Sequence, residues 1–243
     1  MPGHRIALVT GAARGIGRGI VDALAKDGFH IVALDRDFDD SDLTESEALA
    51  RVRYDLTDTA GIAGLVDSLG RIDVLINNAG VQPGLAIDAY TEAARERILA
   101  VNLKTPVELI RTVSRQMLER HRAHPAGSAG RIVNMASVAA FVAHTDLWYG
   151  VTKAGIVSFT RSFAALLGPQ GIQVNAVAPR PIDTDMLNKF AQPERRAHLM
   201  QLVWSRRAGT TDELAEVVRW LASDAPVILN GAVIDVTDGC FLR

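Results

Sequence analysis

The sequence predicts an α/β fold: a doubly wound, Rossmann-type parallel sheet of about seven strands flanked by helices. Short β-branched runs alternate with stretches of helical length along the chain. The first run leads directly into a glycine-rich turn, TGAARGIG, at 10–17. The runs carry few polar interruptions, as strands covered on both faces require.

In chain order, RIALV (5–9) is the first strand and 15–27 the helix after it. HIVAL (30–34) is the second strand. The acidic stretch 36–50 lacks a clear helical period and reads as a short helix or loop. RVRY (51–54), a helix over 58–69 and DVLIN (73–77) follow. A long helical pattern over 91–120 precedes the breaker-rich HRAHPAGSAG. RIVNM (131–135), a helix over 147–167, IQVNAV (172–177), a helix over 211–222 and AVIDV (232–236) complete the alternation. With no repeat, low-complexity tract or linker, 1–243 reads as one domain.

Composition narrows the function. At 243 residues and 48% hydrophobic, the chain can bury a large core. Lys+Arg 26 against Asp+Glu 28 leaves a net charge of −2 without large blocks of one sign, so no nucleic-acid partner is expected. A lone Cys240 and scattered histidines, with His121 and His124 in a loop, imply no metal site. No apolar run reaches the ~18 residues that span a bilayer, and no charged leader with an apolar stretch opens the sequence, so no membrane association and a cytoplasmic location are expected.

The glycine turn has the placement of a phosphate cradle. Gly11 permits a tight turn, Gly15 lets backbone approach a ligand, and Gly17 lets the helix pack on the sheet, while the helix N–H groups, Ile16 among them, point at phosphate. Asp35 ends the second strand, where a carboxylate would accept hydrogen bonds from adenosine ribose hydroxyls. It would also repel a 2′-phosphate, which favours NAD, although Arg14 and Arg36 could attract one. The turn lacks the Gly-Lys-Ser/Thr ending of a P-loop, which excludes that kind of kinase or ATPase.

The spacing T-G-x-x-x-G-x-G resembles that of the short-chain dehydrogenase/reductase family, and further stretches agree. NNAG at 77–80 matches the element after the fourth strand, so Asn78, Ala79 and Gly80 are expected to line the adenosine side. YDLTD at 54–58 places Asp55 against adenine, with Leu56 supplying backbone. VNL places Asn102, and MASVAAFVAHTDLWYGVTK places Ser137, Tyr149 and Lys153 as the catalytic serine and the Y-x-x-x-K pair. The resemblance implies that Lys153 also holds the nicotinamide ribose and that Asn102 anchors a proton-relaying water. It assigns 185–206 to a variable substrate lid.

Tyr149 and Lys153 also make chemical sense by themselves. Four residues apart on a helix, they share a face. A free phenol has a pKa near 10, and an ammonium within about 4–6 Å favours its ionisation, so Lys153 is expected to lower the pKa of Tyr149. Tyr149 would then take a proton from an alcohol as hydride leaves, or give one to a carbonyl oxygen in reverse, with Ser137 bonded to the same oxygen.

Two stretches depart from the family pattern. PRPIDT puts Arg180 where a glycine is usual, with Pro179, Ile182 and Thr184 still suited to contact nicotinamide. Arg180 either reaches the mouth of the site to pair with a carboxylate or phosphate, or faces solvent beside the pyrophosphate. TDGC puts Cys240 at a second glycine position, as a small, buried, unreactive thiol.

Substrate-facing candidates are Val138, Ala139, Phe141, His144, Trp148, Met186, Leu187 and Phe190, a mostly apolar lining suited to a medium-sized secondary alcohol or ketone. NAD-linked oxidation of a polyol, sugar or hydroxy compound is the leading expectation. Reduction of a 3-oxoacyl thioester and a non-catalytic dinucleotide sensor are the alternatives. Small residues on one face of 147–167 (Val151, Ala154, Ser158, Ser162, Ala165) and apolar ones on 103–120 (Val107, Leu109, Ile110, Val113, Met117, Leu118) suggest a homodimer or homotetramer joined through these helices.

Overall fold

All the expected strands form: β1 Ile6–Thr10, β2 His30–Asp35, β3 Leu49–Arg53, β4 Val74–Asn77, β5 Gly130–Met135, β6 Ile172–Pro179 and β7 Val233–Val236. In the computed structural model, which describes residues 4–125, 127–185, 187, 197 and 200–242, they make one sheet. It has seven strands in the order β3-β2-β1-β4-β5-β6-β7, every neighbouring pair parallel. The winding reverses between β1 and β4. A crevice opens there at the carboxyl ends of the strands, where such sheets take ligands.

Strand periodicity sorts the core into two faces. Ala7 and Val9 of β1 pack in one cluster with Ile20, Val21 and Leu24 of α1 (Gly15–Lys26) and Leu214, Val218 and Leu221 of the helix Thr211–Ser223. Leu8 points the other way, into a cluster with Val66 of α2 (Ile62–Leu69) and Leu109 and Val113 of the helix Thr105–Ala123. Among the described residues no helix is long and apolar enough to cross a membrane.

The helical boundaries differ from the expectation in three places. Residues 36–48 form a loop closed by an isolated Ser46–Leu49 bridge, because short acids there bond local backbone: Asp37 Oδ1 accepts from Asp39 N at 2.9 Å; residues 49–50 already belong to β3. α2 starts at Ile62 rather than 58, since Asp58 Oδ1 accepts from Gly61 N at 3.1 Å and makes a turn. The pattern over 91–120 divides into α3 (Glu92–Leu99), a π turn over Ala100–Lys104 and α4 (Thr105–Ala123). Leu109, Ile110, Val113 and Met117 of α4 are core residues, so they do not supply the spare apolar surface expected of them. The helix over 147–167 is as expected; this α5 (Leu147–Leu167) leaves Val151, Ala154, Ser158, Ser162 and Ala165 exposed. Thr211–Ser223 is α6.

Polar groups cross the sheet in the buried layer beneath the crevice. Asn77 Nδ2 donates to Asn134 Oδ1 at 2.8 Å, and Asn134 Nδ2 donates to Thr160 Oγ1 of α5 at 3.0 Å. This chain ties the ends of β4 and β5 to the helix that carries Tyr149.

Candidate active site

The turn after β1 is shaped by its bonds to the end of β4. Thr10 Oγ1 accepts from the backbone N of both Asn78 and Ala79 at 3.0 Å, while Asn78 Nδ2 donates to the carbonyls of Thr10 (2.9 Å) and Gly11 (3.2 Å). Gly11 and Gly15 have φ of +66° and +57°, a region that favours glycine. A Cβ on Gly11 would lie 2.9 Å from Ala79 Cα, and one on Gly17 would overlap the Gly11 carbonyl oxygen. Gly17 therefore makes room for the turn itself as well as for helix packing. A Cβ on Gly15 would sit 3.5 Å from Thr184 Cγ2, so the turn and the segment after β6 face each other across the crevice.

The start of α1 fits a dinucleotide phosphate. No side chain caps it, and no acid stands in its first turn, so its N–H groups and dipole are available to an anion. Arg14 is exposed beside it. Asp35, half-buried, accepts from Ala13 N at 3.0 Å through Oδ2 and from Arg36 N at 2.7 Å through Oδ1, and so holds the turn against the end of β2. Arg36 and Asp55, both exposed, line a separate cavity of about 440 Å³. Hydrogen bonds from Thr57 hold the Asp55 carboxyl below its ordinary value, and Arg36 and Arg97 add to the effect. Leu56 is buried, and its carbonyl accepts from Thr105 Oγ1 at 2.5 Å.

Ser137 and Tyr149 line a larger cavity, about 650 Å³, together with Ile16, Pro179, Ile182 and Thr184. Ser137 follows β5, and Tyr149 sits in the first turn of α5. Lys153 lies behind the ring, buried, with Nζ 5.5 Å from the Tyr149 centroid and donating to the Met135 carbonyl at 2.7 Å. A Cβ on Gly80 would lie 3.6 Å from Lys153 Nζ and 3.7 Å from Asn102 Oδ1, so these three expected residues converge beside the crevice.

The electrostatics differ from the expectation that Lys153 lowers the Tyr149 pKa. Burial pushes the phenol up to about 12; the hydrogen bond with Ser137 opposes this, and the Asp146 charge adds to it. Burial also pulls Lys153 down to about 8. Desolvation governs both groups, penalising the charged form of each.

Asn102 occupies the π turn, a geometry common at functional positions. Its amide is engaged: Oδ1 accepts from Val81 N at 2.9 Å, and Nδ2 donates to Val81 O (3.0 Å) and Thr152 Oγ1 (3.1 Å).

Arg180 does not face solvent: it lines the larger cavity, buried, 3.3 Å from Asp238 Oδ2, and it also donates to the Arg207 carbonyl. The carboxylate it meets is the protein's own, two residues before Cys240. Cys240 is only half-buried and lines the larger cavity; partial burial raises its thiol pKa. Val138, Ala139, His144 and Leu187 also line that cavity, whereas Phe141 and Trp148 do not; Phe141 stacks on Phe241. Met186 and Phe190 lie outside the described residues, as does most of the expected lid.

Two participants escaped the sequence reading. Thr10 bridges β1 to β4; it opens the glycine motif, but the sequence assigns its hydroxyl no role. Asp146 begins α5 as its N-cap, accepting from Tyr149 N at 3.1 Å; an Asp directly before a helical pattern is a readable cap signal.

The chain resembles known proteins along nearly its whole length. The family model described as enoyl-(acyl carrier protein) reductase matches residues 11–240. D-threitol dehydrogenase of Mycolicibacterium smegmatis is 32% identical, over 98% of this chain and 94% of its own. A 3-oxoacyl-[acyl-carrier-protein] reductase of Escherichia coli is 30% identical over 98% of each chain. Among solved structures, a gluconate 5-dehydrogenase of Burkholderia cenocepacia in complex with NADP and tartrate superposes with a TM-score of 0.87 at 29% identity, covering 97% of this chain and 94% of that one.

The buried lysine gives a stability prediction. A fall from 10.5 to about 8 corresponds to a burial penalty on the order of 3 kcal/mol at neutral pH. The bond to Met135 O offsets about 2 kcal/mol of it. Lys153→Met is expected to raise Tm at pH 7 by roughly 2–4 °C. The gap to the parent should close as pH rises from about 8 through 10.5, where the lysine is neutral in both the folded and unfolded chain. Thermal melts across that range check it; a variant less stable than the parent at pH 7 would contradict the burial account.

Proposed function

The chain belongs to the short-chain dehydrogenase/reductase family, and from that premise we propose that it oxidises a polyol, sugar or other hydroxy compound with NAD. It is an oxidoreductase of secondary alcohols and ketones. The observation that carries the reading is the shared cavity of Ser137 and Tyr149, which opens beside the uncapped start of α1 with Lys153 buried behind the ring.

The α1 N–H groups and Gly11, Arg14, Gly15, Ile16 and Gly17 would hold pyrophosphate, Asp35 the adenosine ribose, and Asp55, Leu56, Asn78, Ala79 and Gly80 the adenine side. Pro179, Ile182 and Thr184 would orient nicotinamide, whose chemistry when bound is to accept or supply hydride. Ser137 hydrogen-bonds the substrate oxygen and Tyr149 Oη exchanges the proton with it. Lys153 holds positive charge beside the ring and would bond the ribose, and Asn102, locked in the π turn, fixes the backbone behind the lysine.

The raised phenol supports a second reading, reduction of a 3-oxoacyl thioester. At neutral pH Tyr149 is protonated and ready to donate, as reduction needs, whereas oxidation draws on the small phenolate fraction. The relatives include both polyol dehydrogenases and 3-oxoacyl reductases.

For the coenzyme, the Asp35 carboxylate stands at the end of β2 and favours NAD by repulsion of a 2′-phosphate. Asp238 already neutralises Arg180, which reduces the attraction of that arginine for an anionic substrate. The exposed small residues of α5 support assembly into a dimer or tetramer through that helix.

A panel of polyols, sugars, secondary alcohols and 3-oxoacyl thioesters, followed by nicotinamide absorbance, is expected to find its best kcat/KM among the polyols and sugars. Oxidation should quicken as pH rises above 7, and Tyr149→Phe should remove at least about 10²-fold of the rate. A preference for the thioester would select the second reading. In Asp35→Asn the amide oxygen can still accept from Ala13 N, but the charge is gone; the NADP-to-NAD ratio of kcat/KM should rise about tenfold. An unchanged ratio would remove Asp35 from coenzyme choice. Light scattering at micromolar concentration should give two or four chain masses, and Ala154→Arg should shift the protein toward the monomer; a monomeric parent would refute assembly.

A further inference from the structure

We propose that Asp146 is a positioning residue for the reaction, its buried carboxylate binding the start of the Tyr149 helix to the loop after β4 that walls the substrate cavity. The proposal rests on the assignment of Tyr149 as the proton-transfer group. Asp146 is 2% exposed. Its Oδ1 accepts from Tyr149 N at 3.1 Å and from Tyr90 Oη at 2.5 Å, and its Oδ2 accepts from Gly84 N at 2.8 Å. Gly84 lines the cavity with Leu85 and Ala86, as do Ser137 and Tyr149.

The pattern asks for more than a helix cap. A cap needs one acceptor, which serine, threonine or asparagine supplies equally well. A carboxylate buried this fully is costly unless donors surround it, and here one comes from its own helix and two from chain about sixty positions away. Burial and the Asp146 charge both push the Tyr90 phenol up, so it remains a donor throughout the working range. Movement of the 82–86 loop is thereby coupled to the backbone that aims Tyr149.

Asp146 also acts on Tyr149 by charge. The groups facing the ring are Ser137 from the end of β5, Lys153 with Nζ 5.5 Å from the centroid, His144 with its ring 5.2 Å away, and Asp146. Arg180 lines the same cavity but is paired to Asp238. Asp146 disfavours the phenolate and Ser137 favours it. The Nδ1 of His144 lies 3.1 Å from Asp146 N, so the same residue fixes the imidazole beside the ring.

Asp146→Ser separates the cap from the tie, since serine caps a helix but cannot also reach Gly84 N and Tyr90 Oη. With NAD bound and the best substrate of the panel, kcat is expected to fall about tenfold or more with NAD affinity unchanged. The pH midpoint of oxidation should move down, because the removed charge had opposed ionisation. Tyr90→Phe keeps the charge and loses one tie; KM should rise about threefold with the midpoint in place. Parental kcat and midpoint in Asp146→Ser would reduce Asp146 to a cap and overturn the proposal. If that variant does not fold, parental KM in Tyr90→Phe overturns it. If the parent turns over nothing, the functional reading has failed. Phenolate absorbance, with Tyr149 isolated by subtracting Tyr149→Phe, still decides: an unmoved midpoint in Asp146→Ser overturns the proposal, and a lowered one supports it.

Discussion

The hydroxyl of Thr10 and the amide of Asn78 bind the carboxyl ends of β1 and β4 together at the point where the sheet changes its direction of winding. In an open parallel sheet the loops on either side of this point leave in opposite directions, and a crevice results. The β1–β4 ladder ends at the pair Val9 and Ile76, and the crosslink carries the pairing on into the two exits. Thr10 satisfies two backbone donors of β4's exit, and Asn78 returns two bonds to the carbonyls of β1's exit. The Gly11 carbonyl is thereby aimed at the position a Gly17 Cβ would fill. The spacing of the glycine motif is thus a packing consequence of this crosslink as much as a requirement of phosphate.

The side chains proposed for catalysis depend on the same geometry one strand further on. Asn77 bonds Asn134, and Asn134 bonds Thr160, so the end of β4 and the helix carrying Tyr149 are held through a continuous polar chain in an otherwise apolar layer. Lys153 is kept charged in that layer against the sense of its burial, with the Met135 carbonyl as its protein partner. A cation so placed is a liability to the fold, and its position beside the phenol is where strain of this kind is expected if it serves chemistry. The phenol is under the same pressure with the opposite charge.

Much of this was legible in the sequence because strand ends are legible. The glycine turn, Asp35, Asn78 to Gly80 and Ser137 each fall at or just after the end of an apolar run, and the sheet brings such ends to one edge; Tyr149 is legible from its helical spacing to Lys153. Local chemistry was less legible. The acidic stretch after β2 gives no periodicity because its side chains bond their own backbone. The apolar stripe of 103–120 looked too wide for one sheet, but α4 lies over the sheet and against α2, and Leu109, Ile110, Val113 and Met117 are all used. The direction of the Tyr149 shift is not legible, because spacing reports the neighbouring charge and not the depth of burial.

Arg180 shows the general difficulty. Read alone, an arginine in place of a glycine suggests either a ligand or solvent, and a TDGC ending is a separate curiosity. Folded, Arg180 leaves β6 beside the residues that follow β7, because these two strands are neighbours in the sheet. Asp238, at a φ of +46°, accepts from Ser205 N at 3.2 Å and meets the guanidinium at 3.3 Å, while Arg180 also donates to the Arg207 carbonyl. Arg180 and the Asp238 of TDGC are one device, which fixes the exit of β6, the residues at 205–207 and the final turn to each other. Such a pair cannot be inferred from residues fifty-eight positions apart until strand order is known; once it is known, a buried guanidinium requires a partner, and the carboxylate after the adjoining strand is the group in reach.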